Sequence, residues 1–85
     1  MKCYFKPSAL EDLEQLPKDI RRRIVERIEL YANSDVPIKF AKKLTNTTLG
    51  EFRFRIGDYR VAFDVDKKRN AIIILAVGNR KDIYR

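Results

Sequence analysis

The chain has no histidine and no tryptophan, a single cysteine, and only three glycines and three prolines among 85 residues. Histidine is the side chain that titrates nearest neutral pH and the commonest metal ligand, so its absence excludes histidine-based acid–base catalysis and most zinc ligand sets. Cys3 alone cannot close an intrachain disulfide; it reads as a small buried hydrophobe in a protein of a reducing compartment. Three glycines leave no glycine-rich loop to cradle phosphates, and the acids do not cluster beyond Asp64 and Asp66, so neither a nucleotide cofactor nor a metal is expected. The longest apolar run, Ala71 to Val77, spans seven residues, against about 20 for a membrane helix. The opening MKCYFKPSALEDLEQL carries charges every few positions and does not read as a signal peptide, so a cytoplasmic protein without a membrane partner is expected.

What the chain does have is basic charge and aromatic side chains. Nineteen lysines and arginines against twelve acids give a net charge of +7, which calls for an anionic partner. With 45% hydrophobic residues, four tyrosines and five phenylalanines, there is material for one packed core. No repeat or low-complexity linker divides residues 1–85, so a single domain is expected.

Residues 2 to 6, KCYFK, read as a strand at or near a sheet edge, stopped by Pro7. Ser8 with Glu11 three residues on has the form of a capping box, and Ala9, Leu10, Leu13 and Leu16 follow at helical spacing. Past Pro17, Ile20, Ile24, Val25, Ile28 and Tyr31 mark the apolar stripe of a helix of about 14 residues ending near Asn33, the second arm of an αα-hairpin. Residues 33 to 50 read as a loop with one helical turn around Ile38 to Lys43. Phe52, Phe54 and Ile56, then Tyr59, Val61, Phe63 and Val65, alternate with polar residues as two strands, and AIIILAV reads as a central strand covered on both faces. Short turns between neighbouring strands imply antiparallel pairing. The expected fold is α+β, with the order βααβββ and the helix pair on one face of a twisted antiparallel sheet of about four strands.

Between the two alternating runs stand Gly57 and Asp58, and glycine in the first turn position suits a type II′ hairpin. Such a loop sets Ile56 opposite Tyr59, Arg55 opposite Arg60, Phe54 opposite Val61 and Arg53 opposite Ala62. The apolar set must face the helices, leaving Arg53, Arg55 and Arg60 together on the other face. Like charges directly across a strand pair cost stability, and lysine, threonine or glutamate would solubilise the strands as well. Converging guanidinium groups match phosphate oxygens bidentately. Beyond the last strand, Gly78 would allow a sharp exit, and Arg80 and Tyr84 would share one side of a helical turn. Tyr84 offers a plane for a base to stack on and a hydroxyl that gives or takes a proton.

The segments GEFRFRIGDYRV and VGNRKDIYR, with the element order around them, resemble the RelE/ParE superfamily of toxins from toxin–antitoxin modules over nearly the whole chain. The RelE branch implies ribosome-dependent cleavage of mRNA, by attack of a ribose 2′-hydroxyl on the adjacent phosphate. On that resemblance Arg55 and Arg60 would stabilise charge, Arg53 would position phosphate, Arg80 would serve the leaving-group side, and Tyr84 would stack or move a proton. Many relatives carry histidine or lysine where a base or acid is wanted, whereas this chain has no histidine and has arginine at both alternating strand positions. Arginine stays protonated, so either Tyr84 takes a proton role or the ribosome completes the geometry. The resemblance also implies a small acidic antitoxin as partner, with Leu30 and residues near Tyr4 as anchors. Two other functions stay open: a ParE-like gyrase poison without nuclease chemistry, and a degenerate module that binds only nucleic acid or antitoxin.

Overall fold

Strict two-residue alternation in the second half of the chain, and three- to four-residue spacing in the first, build a sheet with helices on one side. The computed structural model describes residues 1–34, 41–43 and 52–79, for 41–43 the backbone alone. Strand β1 (Lys2–Phe5) leads into helices α1 (Pro7–Glu14) and α2 (Lys18–Ala32), followed by β2 (Ala41–Lys43), β3 (Phe52–Ile56), β4 (Tyr59–Asp66) and β5 (Ala71–Asn79). The sheet has the order β1-β5-β4-β3-β2.

The α+β class and the helix pair on one face are as the sequence implies, but the sheet is mixed and has five strands. β1 runs parallel to β5, with Lys2 opposite Ala71 and Phe5 opposite Ile74. No turn joins these two strands, so turn chemistry could not announce the pairing; β1 lies at the edge, as expected. The fifth strand is β2, where the sequence suggested a helical turn. Ala41–Lys43 pairs antiparallel with β3 at Phe54, Arg53 and Phe52, while residues 38–40 of that expected turn lie outside the described residues.

Helix α2 buries Ile24, Ile28 and Ala32, and α1 buries Ala9 and Leu13. They close over Phe54, Ile56, Val61, Phe63, Ile72, Ile74 and Val77 of the sheet. Phe54 and Phe63 stack with ring centroids 4.2 Å apart, and Tyr31 of α2 meets Phe54 at 4.9 Å. Aromatic contacts of this kind add about 0.5–1.5 kcal/mol each beyond their buried area. Leu10, placed by its spacing on the apolar stripe, is 48% exposed. β5 is interior in the sheet but covered by helices on one face only, for Ile73 and Leu75 are half-buried while Ile72 and Ile74 are fully buried.

Ser8 does not close a capping box. Lys6 is the N-cap of α1 and makes no side-chain cap, and Pro7 takes the first turn, where its missing N–H costs nothing. The Ser8 hydroxyl instead donates to the carbonyl of Leu75, at 2.7 Å, and the Val77 N–H donates to Asp12 Oδ2, at 2.9 Å. β1 pairs with β5 only as far as Ile74, whose carbonyl accepts from the Lys6 N–H. Beyond that point α1 takes over the outer edge of β5. Its two polar side chains, one turn apart, satisfy backbone groups that would otherwise form an open edge.

Candidate functional site

The hairpin of β3 and β4 forms as its alternation dictates. Ile56 pairs with Tyr59, Arg55 with Arg60, Phe54 with Val61 and Arg53 with Ala62. Gly57 has φ +60°, and Asn70 is the only other described residue at positive φ. Positive φ in the first loop position alone is the type II′ signature.

Phe54, Ile56, Val61 and Phe63 lie in the core against the helices. By alternation Arg53, Arg55, Arg60 and Ala62 occupy the opposite face. Arg55 and Arg60 are direct cross-strand neighbours, in a position type where Cα atoms stand about 4.5 Å apart. Their depths differ sharply: Arg55 is exposed, Arg53 is half-buried and Arg60 is only 5% exposed. The three arginines share the face expected of them, but that face is not open at Arg60. β4 is interior, so Arg60 is flanked by β3 and β5, and its Nη1 donates to the Tyr59 carbonyl at 3.3 Å. On the β5 side its partner is Gly78, which contributes no side chain. Gly78 is thus not a sharp exit; β5 continues through it to Asn79.

The acids sit at the far end of this face. Asp66 pairs with Arg69 of its own turn, at 3.5 Å, and accepts the Arg69 N–H at 3.2 Å. Asp64 lies opposite Ile73. Neither acid stands opposite the arginine pair in register. At the same end a cavity of about 530 Å³ opens between α1 and the sheet, lined by Asp12, Gln15, Tyr59, Gly78 and Asn79 among others. Arg80 and Tyr84 lie outside the described residues, beyond the end of β5.

Among the described residues no group of three or more histidine, cysteine or acidic side chains could hold a metal. Cys3 is half-buried, and burial, with a smaller contribution from the Glu29 carboxylate, pushes its thiol up to about 11. It is a poor nucleophile near neutral pH. Sequence spacing missed Asp12 and the Leu75 carbonyl that Ser8 serves, since both partners are more than 60 residues away.

The chain and its fold have counterparts in known proteins. The chain is 34% identical to Toxin RelG of Mycobacterium tuberculosis over 84 residues, covering 95% of this chain and 92% of that one. It is also 34% identical to Toxin RelE3 of Methanocaldococcus jannaschii, covering 99% and 96%. Its fold matches a toxin chain in the crystal structure of the toxin–antitoxin complex RelBE2 from Mycobacterium tuberculosis, with TM-score 0.80, 31% identity and coverage of 95% and 92%. Residues 4–84 match the family described as "ParE toxin of type II toxin-antitoxin system, parDE", and the chain therefore belongs to the RelE/ParE family of type II toxins.

Proposed function

We propose that this toxin is an mRNA endoribonuclease that acts on ribosome-bound message in the cytoplasm. The observation that carries the proposal is the Arg55–Arg60 pair, with Arg55 exposed to receive a phosphate and Arg60 directly across the ladder from it at 5% exposure. A charge fixed at the edge of a low-dielectric region interacts more strongly with a developing anion than a solvated one does. In the proposed step the 2′-oxygen forms a bond to phosphorus, the bond from phosphorus to O5′ breaks, and the proton lost from the 2′-hydroxyl is balanced by one gained at O5′. The products are a 2′,3′-cyclic phosphate and a 5′-hydroxyl. Arg55 and Arg60 stabilise the phosphorane, Arg53 positions the phosphate, and Arg80 and Tyr84 serve the leaving-group and proton-transfer side.

Arg53, Arg55 and Arg60 supply charge but no proton acceptor. Orientation of the RNA by the ribosome, or Tyr84, meets that need, and free RNA would then be cut poorly. The protein partner is a small acidic antitoxin, in keeping with the fold match to a toxin–antitoxin complex. Leu30, 59% exposed on α2, and Tyr4, 46% exposed on β1, offer it apolar anchors. Mapping of RNA 5′ ends after conditional expression, with purified ribosomes and naked RNA as parallel arms, tests the proposal. Discrete 5′-hydroxyl ends on translated messages, lost in Arg60→Ala, are expected. Growth arrest with intact mRNA and inhibited gyrase would instead favour the second function, which the family description as a ParE toxin keeps in view.

A further inference from the structure

The β4–β5 ladder carries an irregularity whose position matters for Arg60. Phe63 pairs with Ile74, but Ala62 pairs with Ala76, so Leu75 is the extra residue of a β-bulge. An uninterrupted ladder would set Val77 opposite Arg60. The bulge sets Val77 opposite Val61, in the core at 4% exposure, and Gly78 opposite Arg60. Both ends of this shift are held by α1. Ser8 donates to the bulge carbonyl of Leu75, and the Asp12 carboxylate accepts the Val77 N–H in a partly buried setting. The Asp12 carboxylate makes no other hydrogen bond or ion pair among the described residues. A carboxylate on a strongly basic chain is therefore committed to one backbone amide, three residues before Arg80.

We propose that Ser8 and Asp12 are positioning residues, which lock the Leu75 bulge so that glycine rather than valine flanks Arg60 on the phosphate-facing side of the sheet. A one-residue slip of β5 would bring the Val77 side chain beside the guanidinium and carry a core residue to the open face. The catalytic half of this proposal rests on the nuclease function proposed above; the register half does not.

The test compares Asp12→Ala, Asp12→Asn, Ser8→Ala and Gly78→Val with the wild-type chain, at a temperature where each is folded by circular dichroism. In Asp12→Ala, kcat on ribosome-bound mRNA should fall by about 10- to 100-fold with KM within about twofold, since small misplacements of catalytic groups act in this range. Asp12→Asn, whose amide oxygen also accepts the Val77 N–H, should recover most of the rate. Gly78→Val should reproduce the loss. A purely structural role would lower activity only in proportion to the unfolded fraction, and that result overturns the proposal. NMR provides the independent arm: cross-strand contacts between Arg60 and Gly78 should weaken, and Val77 amide exchange accelerate, in Asp12→Ala and Ser8→Ala. Unchanged contacts and exchange refute the register lock whether or not the protein cuts RNA. A wild-type chain that cuts no mRNA, with the NMR changes present, removes the nuclease function and leaves the lock standing.

Discussion

The turn that brings Arg55 and Arg60 together is held by one backbone angle, and it can be tested with a mirror-image pair of substitutions. Gly57 has φ +60°, and a Cβ built there meets no heavy atom within 4 Å. Replacement by alanine therefore adds no clash, and the whole native-state cost is torsional, about 1–3 kcal/mol for an L-residue in so sparsely populated a region. Alanine also restricts the unfolded chain, which offsets roughly 0.4–1 kcal/mol. Gly57→Ala should thus lose on the order of 1 kcal/mol. The D-alanine variant, accessible by chemical synthesis, carries the same unfolded-state restriction without the strain and should gain about 0.4–1 kcal/mol. The two variants differ only in handedness, so their unfolded-state contributions cancel and the gap between them equals the strain. For a domain of this size each 1 kcal/mol is about 4–8 °C in Tm. Paired urea and thermal unfolding of the synthetic proteins measures the gap. If the L- and D-alanine forms unfold at the same midpoint, the positive φ is not enforced by the hairpin, and the register that opposes Arg55 to Arg60 has another origin.

Phe63→Ala removes a fully buried ring stacked on Phe54 and should cost about 3–5 kcal/mol, out of roughly 4–13 kcal/mol expected for 85 residues, as urea unfolding would show. Cys3 holds its proton more tightly when folded than when unfolded, so its contribution to stability is complete below pH about 9 and is lost as pH rises to about 11. The difference in urea midpoint between wild type and Cys3→Ala, taken at both ends of that window, should shift against the wild type at the alkaline end. Arg55 is the exposed member of the trio, so Arg55→Ala should lower the slope of log affinity for single-stranded RNA against log salt by about 0.7, read by fluorescence anisotropy.

The hairpin was legible because two local rules agree there. Strict alternation assigns each side chain a face, and a two-residue loop with glycine first fixes the register, so every pairing from Phe54–Val61 to Ile56–Tyr59 follows. Alternation gives a face but not a depth. Nothing local says that Arg60 sits on an interior strand beside a glycine, so its burial could not be read from the sequence. The parallel β1–β5 pair joins segments with no turn in common, and the three residues of β2 are too few to show an alternation. Ser8 failed as a cap because the helix begins one residue before it, at Pro7 with Lys6 as the N-cap, and the Ser8 O–H donates instead to a carbonyl 67 residues away. Arg80 and Tyr84, named from family likeness and residue type, lie outside the described residues.

The departures from what a small sheet would choose for stability alone are gathered at one end of the molecule. Gly57 at positive φ, two arginines in direct opposition, a bulge at Leu75, a glycine in the interior of β5 and a carboxylate spent on one amide all lie within a few residues of Arg60 in register. The other end of the same strands obeys local rules: Asp66 pairs with Arg69 in its own turn, and Asn70 takes the left-handed position that asparagine tolerates. Solubility would be served by exposed charge anywhere on the sheet. At 5% exposure Arg60 contributes almost nothing to solubility, yet the fold bears the desolvation of its guanidinium. Backbone strain and departures from local rules concentrate at functional sites, which is the ground for the function proposed above. An arginine held at that depth, between a glycine on one strand and an exposed arginine on the other, is suited to an anion that approaches the sheet from outside.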